Sequence, residues 1–465
     1  MTDQNHGGDP DGRQNQADLI AAIATATGPG AVSVVRLSGF GADKALAQVF
    51  VAHLDPAKNP RAMVYGQLVH PQSKELIDRV LAVYFPAPHS FTGEDSAEIF
   101  GHGGSTVPRL ILEAVLAAGA RLANPGEFTQ RAFLNDRLSL DQAEAVADLV
   151  AAQSEAEAAL AVRHLEGTLS AKIKPVIDQT VDLQAELVAI LDFEEDWDDD
   201  QRDRIIASLG RVYGKIFDLA EKGKNLRVFR DGLRIVLTGL PNAGKSSLFN
   251  ALLGRDRALV SPRPGTTRDY LEAMVSWDGL RVELVDTAGL GSESGAESGA
   301  GSGDELEGLG QALALRELKD ADVIVRLRSI TQPGPDQAPQ TWDGEKILTV
   351  WSKTDLAPGP LPQNSLGVSA LTGEGLDALK QSVLKKVGLV KGLKPEIVPN
   401  LRQRIALEAA LERIGQARQA LLDRLPPDIA ALEVSLALES LNRITGRVLT
   451  DDILSQVFEK FCLGK

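Results

Sequence analysis

The chain has 465 residues, of which 43% are hydrophobic and 24% are charged. This balance is typical of a globular protein and excludes a disordered or fibrous one. At roughly 150 residues per domain, we expect about three domains. Lysine and arginine number 49 against 64 aspartates and glutamates, which gives a net charge of −15. Any contact with nucleic acid must therefore use a local patch, because the surface as a whole repels polyanions.

The single cysteine, Cys462, excludes an intramolecular disulfide and a zinc site built from several cysteines. Residues 1–17 are polar and lack an apolar core, so we expect a disordered tail that is neither a signal peptide nor a membrane anchor. No apolar run in the sequence reaches the about 20 residues that a membrane-spanning helix needs. We therefore expect a cytoplasmic protein with no membrane partner.

The hydrophobic pattern divides the rest of the chain into four segments. Residues 18–124 alternate short apolar runs with glycine-rich turns and one helical stretch, which predicts an α+β domain. Residues 125–231 and 391–465 have apolar residues at helical spacing and predict two parts of one helical domain. Residues 232–390 repeat strand, glycine-rich turn and helix, as parallel α/β domains do. The predicted fold class is multidomain, α/β plus α, with the α/β domain inserted into the helical one.

A phosphate-binding loop is predicted at Gly239–Ser246, where GLPNAGKS matches the pattern G-x-x-x-x-G-K-[ST]. The loop follows the apolar strand RIVLT and precedes an apolar helical stretch, which is the context that the motif requires. Its backbone N–H groups and the helix N-terminus would face phosphate oxygens. Lys245 would reach the β- and γ-phosphates, and the Ser246 hydroxyl would bind Mg²⁺.

Two further motifs lie where a nucleotide switch needs them. Asp286 ends the strand RVELV and begins the motif D-T-A-G, which places a carboxylate near the Mg²⁺ and a glycine N–H near the γ-phosphate. The segment Gly265–Asp269 offers a second hydroxyl for Mg²⁺, that of Thr267, which would be held only while the γ-phosphate is present. Together these motifs predict a switch that is linked to hydrolysis.

A base-reading loop is predicted at Ser352–Asp355, directly after the strand KILTVW. An aspartate at this place accepts the N1–H and 2-amino protons of guanine, a pair that adenine does not offer. The sequence Ser369–Leu371 follows a last short strand and would complete the guanine pocket. The predicted GTP-binding residues are Asn242, Ala243, Gly244, Lys245, Ser246, Ser247, Ser261, Pro262, Arg263, Pro264, Gly265, Thr266, Thr267, Asp286, Thr287, Ala288, Gly289, Ser352, Lys353, Asp355, Ser369, Ala370 and Leu371.

In this order, the five elements resemble the translation-factor-related GTPases, with two departures. Ser352 stands where that family begins its guanine motif with asparagine, so base selectivity should rest mainly on Asp355. Leu290 stands where signalling GTPases carry a glutamine that orients water, and a leucine cannot orient water. The catalytic group for hydrolysis must therefore come from elsewhere.

Four motifs outside the α/β segment narrow the resemblance: FTGED at Phe91–Asp95, HGG at His102–Gly104, PGEFTQRAFLNDRLSLDQAEAVADL from Pro125, and FCLGK at Phe461–Lys465. With the GTPase motifs they resemble the MnmE family, also called TrmE, of tRNA modification GTPases. The resemblance covers nearly the whole chain from Asp18 onward.

The resemblance implies a homodimer formed through the N-terminal domain, which would bind a tetrahydrofolate derivative in its 5-formyl or methylene form. It implies an FAD-dependent partner subunit of the MnmG (GidA) type, in a heterotetramer that modifies C5 of wobble uridine U34 in tRNA. The product would carry an aminomethyl or carboxymethylaminomethyl group. It also implies that K⁺ and pairing of two G domains stimulate GTP hydrolysis.

The resemblance also implies roles for single residues. The folate contacts would be Arg36, Glu94, Arg137 and Lys465. The K⁺ contacts would be Asn242, Ser261, Arg263 and Thr266, with Arg263 acting through its carbonyl because its side chain is a cation. Glu307 would act on the attacking water, with Glu305 as the alternative because a Ser-Gly stretch lengthens the preceding loop. Cys462 would either take part in one-carbon chemistry or pack beside the folate.

Two other functions remain open from the sequence. A GTPase that docks on ribosomal RNA shares the phosphate-loop half, but such proteins append a basic module that this acidic chain lacks. A folate-dependent one-carbon transferase with a regulatory GTPase would bind folate without changing tRNA.

Overall fold

The computed structural model describes residues 18–26, 28–192, 198–226, 228–255, 271–286, 316–332, 344–356, 361, 365–389, 397–447, 457–459, 461 and 464. The chain divides into two compact units. The first comprises residues 1–147, 165–177 and 438–465, and the second comprises residues 148–164 and 178–437. None of the described helices is both long and apolar enough to span a bilayer. The predicted tail, residues 1–17, lies outside the described residues.

Strands and helices are numbered here in chain order. They are β1 (Ile20–Ile23), β2 (Val32–Ser38), α1 (Ala42–Val49), β3 (Phe50–Val51), β4 (Val64–Val69), β5 (Leu76–Phe85), β6 (Ser96–His102), α2 (Thr106–Ala117), β7 (Arg121–Leu122), α3 (Glu127–Leu134), α4 (Leu140–Ala151), α5 (Glu155–Leu165), α6 (Thr168–Asp192), α7 (Asp199–Leu226), α8 (Val228–Asp231), β8 (Leu233–Gly239), α9 (Lys245–Arg255), β9 (Leu271–Trp277), β10 (Leu280–Asp286), β11 (Val323–Ser329), β12 (Ile347–Ser352), β13 (Leu366–Val368), α10 (Leu376–Lys386), α11 (Leu401–Leu422) and α12 (Pro427–Thr445).

The first unit contains a seven-stranded sheet in the order β3-β4-β5-β6-β2-β1-β7. Its described pairs are antiparallel except for β1 with β7. Helices α1 and α2 pack on one face, where Leu37 of β2, Ile99 of β6 and Ile111 of α2 are fully buried. Because side chains alternate along a strand, Arg36 and Glu98 lie on the other face, directly opposite each other in the β2–β6 register.

The second unit contains a six-stranded sheet in the order β13-β12-β11-β8-β10-β9. The five strands predicted from the α/β pattern are present, and they run parallel from β10 to β13. Strand β9 was not predicted, and it pairs antiparallel with β10 at the edge of the sheet. Strand β8 is central and almost wholly apolar, as expected for a parallel strand that is covered on both faces.

Helical segments complete the second unit. The predicted helical stretch LRQRIALEAALERIGQARQALL coincides with α11, which packs against α7. A capping box begins α11: the Asn400 side chain accepts from Gln403 N at 2.9 Å, and the Gln403 side chain accepts from Asn400 N at 2.8 Å. Two otherwise unpaired backbone donors are thereby satisfied. The predicted multidomain architecture, α/β plus α, is confirmed.

Candidate functional site

The phosphate loop joins the end of β8 to the start of α9. Asn242 and Gly244 have positive φ angles of 62° and 89°, which turn the loop back on itself. Gly239 also requires glycine, because a Cβ there would lie 2.5 Å from the carbonyl oxygen of Leu327 on the neighbouring strand. The residues from Gly239 to Ser246 thus adopt a strand–loop–helix arrangement in which the N-terminus of α9 can face an anion.

Lys245 begins α9 and is 9% exposed. Its Nζ donates to the carbonyl oxygens of Gly239 at 3.0 Å and Leu240 at 3.2 Å, so the ammonium lies over the loop. Burial lowers the pKa of Lys245, and the nearby charge of Asp286 opposes this shift. A cation that already lies over the loop needs little rearrangement to meet a phosphate.

The two described residues predicted at Mg²⁺ meet at the carboxyl end of the sheet. Ser246 Oγ donates to Asp286 Oδ2 at 2.7 Å, and Asp286 is fully buried where β10 ends. A hydroxyl and a carboxylate in contact are the oxygen donors that Mg²⁺ takes from a protein beside phosphates. The donor set therefore fits this ion.

The base-reading loop lies against the phosphate loop. Ser352 is 4% exposed, and its Oγ donates to the carbonyl oxygen of Ala243 at 2.6 Å. Lys353 has φ 62°, and its Cε lies 3.8 Å from where a Cβ of Gly244 would stand. The serine that departs from the family pattern thus connects the two loops directly.

The carboxylate expected to read guanine is held by a predicted neighbour. Ser369 Oγ donates to Asp355 Oδ1 at 2.7 Å, while Ser369 itself is fully buried after β13. Leu371, also predicted in this pocket, is 85% exposed. The loops after β8, β12 and β13 thus bring the predicted phosphate-binding and base-reading residues together at the carboxyl end of the sheet.

Other predicted site residues lie outside the described residues, and their roles stay predictions. They are Ser261, Pro262, Arg263, Pro264, Gly265, Thr266, Thr267, Thr287, Ala288, Gly289, Glu307 with its alternative Glu305, Cys462 and Lys465.

A second candidate site is a cavity of about 240 Å³ in the first unit. Its lining includes Arg36, Phe91 and Glu98, with the hydroxyl side chains Ser90, Thr92 and Ser96. Arg36 donates to Glu98 Oε1 through Nε at 2.9 Å, and its Nη2 lies 2.8 Å from the same oxygen. Its guanidinium carbon also lies 5.4 Å from the centre of the Phe91 ring. Arg36 is thus fixed by a carboxylate and an aromatic ring.

Glu94, which was predicted as a folate contact, does not line this cavity. Its carboxylate accepts from Arg131 Nη1 at 3.1 Å and from Ser38 Oγ at 2.9 Å. The carboxylate that faces the cavity is Glu98, four residues further along the chain. Sequence reasoning missed Glu98 because its place opposite Arg36 depends on the pairing register of β2 with β6.

Arg131 of α3 is the centre of a buried ion network. Its side chain is 4% exposed and donates to Asp18 Oδ1 at 2.6 Å and to Glu127 Oε1 at 2.9 Å, in addition to Glu94. Arg121 also pairs with Asp18 and Glu127. Burial lowers the pKa of the Arg131 guanidinium, but the charge of Glu94 and the three acceptors outweigh burial and raise it. Three carboxylates thus share two cations, of which Arg131 is buried with Glu127, while Arg121 and Asp18 are partly exposed.

Of the other two predicted folate residues, Arg137 is described, and Lys465 lies outside the described residues. A Cβ on Gly93 would stand 3.2 Å from Cγ of Arg137, so the Arg137 stem lies against the FTGED loop. A Cβ on Gly464 would stand 2.4 Å from the carbonyl oxygen of Ile23, so the residue before Lys465 lies against the end of β1. Gly464 therefore lies beside the N-terminal sheet.

A phosphate loop after a central strand, with the aspartate predicted to read guanine two strands away, defines the chain as a P-loop GTPase. A model of the MnmE helical domain matches residues 140–462, and a model of the GTP-binding protein TrmE N-terminus matches residues 19–137. The chain belongs to the MnmE (TrmE) family of tRNA modification GTPases. The expected resemblance is confirmed.

Individual relatives are similar in sequence to this chain over almost its whole length. The tRNA modification GTPase MnmE of Syntrophus aciditrophicus is 38% identical, with 96% of this chain and 99% of that protein covered. That of a Thermus thermophilus strain is 39% identical, with 97% and 100% covered. Among solved structures, the G domain of the T. maritima FeoB iron transporter is 24% identical, with a TM-score of 0.24 and with 33% of this chain and 98% of that chain covered.

Proposed function

We propose that the chain is the GTP-hydrolysing subunit of a complex that modifies C5 of wobble uridine U34 in tRNA. The complex would add an aminomethyl or carboxymethylaminomethyl group, using a one-carbon unit from tetrahydrofolate and an FAD-dependent partner subunit of the MnmG type. The observation that carries the proposal is the presence in one chain of an assembled GTP site and a second, charged cavity on the N-terminal sheet. Relatives that match nearly end to end are named tRNA modification GTPases.

In the GTP site, Lys245 would neutralise charge on the β- and γ-phosphates. Ser246, Asp286 and Thr267 would hold Mg²⁺, which supplies charge neutralisation at the same oxygens. Glu307, with Glu305 as the alternative, would orient the attacking water. Lys245, Ser246 and Asp286 support this part of the proposal through the contacts described above.

Ser352 would support GTP binding by connecting the base-reading loop to the phosphate loop. We expect Ser352→Ala to weaken GDP binding by about two- to tenfold, because one buried hydrogen bond to Ala243 is lost. Binding of inosine diphosphate, which lacks the 2-amino group, should weaken by the same factor, because Ser352 contacts the protein backbone and not the base. Calorimetric titration of both nucleotides checks this. Ser382→Ala, which removes a hydroxyl that donates within α10, is the matched control. A change in the ratio of GDP to inosine diphosphate affinity in Ser352→Ala would show that Ser352 reads the base.

A K⁺ ion would be held by Asn242, Ser261, the Arg263 carbonyl and Thr266, and would neutralise charge that develops during hydrolysis. Asn242, the one described member, has a left-handed backbone conformation with φ 62°, and it is exposed. We expect faster GTP hydrolysis in KCl than in NaCl at matched ionic strength, measured as steady-state phosphate release. Equal rates in the two salts would remove K⁺ from the proposal.

The cavity on the N-terminal sheet would bind the folate. Arg36 supports this because it is a fixed cation on the cavity wall, and Glu98 supports it as the carboxylate beside Arg36. Arg137 and Lys465 would reach the folate's glutamate carboxylates as cations. Cys462 beside them would either take part in one-carbon chemistry or pack against the folate.

Folate binding at this cavity is tested with Arg36→Leu. We expect calorimetry to show at least a tenfold loss of affinity for 5-formyltetrahydrofolate, because the variant lacks the cation and leaves Glu98 unpaired. GDP affinity, which depends on the second unit, should not change and serves as the control in the same sample. Unchanged folate affinity would place the folate elsewhere.

The homodimer would use the face of the N-terminal sheet that α1 and α2 leave uncovered. On that face Val51 is 56% exposed, Tyr65 is 62% exposed and Leu81 is 37% exposed, and their strands are neighbours. Exposed apolar side chains in a continuous group favour a protein interface. We propose that a second copy of the chain covers these side chains.

We also propose that the whole complex acts in the cytoplasm, where its tRNA substrate is found.

We also propose the division into a tail (1–17), an N-terminal domain (18–124), a first helical part (125–231), an inserted G domain (232–390) and a second helical part (391–465). The starts of α3 at Glu127, β8 at Leu233 and α11 at Leu401 support these boundaries.

A further inference from the structure

Four buried hydroxyl side chains lie beside the cavity on the N-terminal sheet. Ser90, Thr92 and Ser96 line the cavity, and Ser38 lies behind them, fully buried on β2. These four form the hydroxyl cluster. They contact one another at 2.6 to 3.4 Å, as shown by the pairs Ser38 with Thr92 and Ser90 with Thr92. Each hydroxyl has one proton to donate and two lone pairs that accept, so the direction of every hydrogen bond can be followed.

Glu94 determines which group donates in the hydrogen bonds at one end of the hydroxyl cluster. Its carboxylate, held by Arg131, only accepts, so the single proton of Ser38 is donated to Glu94 Oε2 at 2.9 Å. Ser38 Oγ can then act only as an acceptor toward the other hydroxyls. Thr92 Oγ1, 2.6 Å away, must therefore donate its proton to Ser38.

The remaining two protons also point away from the cavity. Ser90 Oγ donates to the carbonyl oxygen of Glu94 at 2.5 Å. Ser96 Oγ lies 3.2 Å from Ser38 Oγ and 3.3 Å from the Glu94 carbonyl oxygen, and both of these atoms accept. All four protons are thus donated within the cluster or to Glu94. Thr92 Oγ1 also accepts from Glu94 N at 3.2 Å, so each of the three lining hydroxyls is left with at least one lone pair to offer a bound molecule.

We propose that Ser38 and Glu94 set the hydrogen-bond polarity of this cavity wall, so that it selects a ligand edge made of N–H donors. The inference rests on the proposed function, since the ligand class is a reduced folate. In that class the edge is the 2-amino-4-oxopyrimidine ring, whose N3–H and 2-amino group donate. Glu94 is a specificity-determining residue that acts through Ser38, and it does not contact the ligand.

The test uses Ser38→Ala and two ligands, 5-formyltetrahydrofolate and its 2-desamino analogue, titrated calorimetrically into the full chain. The wild type should bind the amino compound at least about tenfold more tightly, because the analogue leaves buried acceptors unpaired. Without Ser38, the proton of Thr92 loses its nearest acceptor and can turn toward the cavity, while Ser96 keeps the Glu94 carbonyl oxygen. We expect the preference to fall to within about threefold.

Ser33→Ala is the matched control, because Ser33 is a 2% exposed serine on the same strand that donates to the His102 carbonyl oxygen, outside the cluster. It should keep the wild-type preference. Glu94→Gln is the second variant if Ser38→Ala does not fold. An amide can donate as well as accept, so the preference should fall in this variant too.

A preference that survives both Ser38→Ala and Glu94→Gln overturns the inference. So does a loss of affinity that is equal for the two ligands. In both cases the folate part of the proposed function stands, because the wild type still binds folate. Wild type that binds neither compound would overturn the folate proposal together with this inference.

Discussion

Lys245→Ala is expected to lower kcat for GTP hydrolysis by about 10²–10³-fold, the effect of removing one preorganised charge from a transition state. Lys245 Nζ is buried over the phosphate loop, where it donates to two backbone carbonyl oxygens and lies near the charge of Asp286. The readout is phosphate release at saturating GTP, with a folded-state check by thermal unfolding.

Lys385→Ala is the matched control for this prediction, because Lys385 is an exposed lysine at the end of α10 in the same unit. It should leave kcat unchanged. A Lys245→Ala protein that keeps kcat within threefold of the wild type would mean that the loop does not bind the reacting phosphates.

Arg131→Met is expected to lower the free energy of unfolding of the first unit by about 3–5 kcal/mol. The variant would leave Asp18, Glu94 and Glu127 with fewer cations in a buried network, and uncompensated buried charge is costly. Hydrogen exchange over β6 and α3 measures the effect in this unit alone.

The control is Arg109→Met, which removes an exposed pair with Glu113 one turn apart on α2. Exposed pairs of this kind contribute about 0.5 kcal/mol or less. Similar losses in the two variants would show that burial of the Arg131 network does not matter for stability.

The same network also predicts how the protein's stability changes as the pH falls. Burial raises the pKa of Glu127, but hydrogen bonds from Arg121 and Arg131 outweigh it, and the pKa falls below the ordinary 4.5. The pKa of Asp18 falls below 3.8 for the same reasons. A lowered pKa contributes stability above the unfolded-state value and loses it as pH falls through the folded-state value. The wild type should therefore lose stability below about pH 4.5, and Arg131→Met should show a shallower loss.

Local sequence signals predicted the G domain well, because its parts are contiguous. A phosphate loop needs only a strand, a few residues and a helix, so GLPNAGKS identified Lys245 and Ser246 without knowledge of the fold. Asp286 and Asp355 followed for the same reason, since Asp286 ends a recognisable strand and Asp355 comes three residues after one. Strand β9 was missed because it is an antiparallel edge strand, which the repeating parallel pattern does not indicate.

The N-terminal cavity could not be predicted to the same depth, because its residues meet through sheet register and side-chain contacts. Glu94 and Glu98 are both acidic and close in sequence, and only the β2–β6 register places Glu98 opposite Arg36. The helical pattern around Arg131 does not indicate its contact with Glu94, which lies 37 residues earlier in the chain. Ser352 illustrates the same limit, since its hydrogen bond to Ala243 spans two loops.

If GTP hydrolysis by this chain serves tRNA modification, cells that lack the protein should lose the C5 aminomethyl-type group from wobble uridine. Mass spectrometry of wobble-uridine nucleosides in tRNA from such cells, with wild type or Lys245→Ala supplied, measures this directly. We expect the group to be restored by the wild type and not by Lys245→Ala. An unchanged nucleoside profile in the deletion cells would contradict this function and favour a GTPase that acts on another RNA or only regulates folate chemistry.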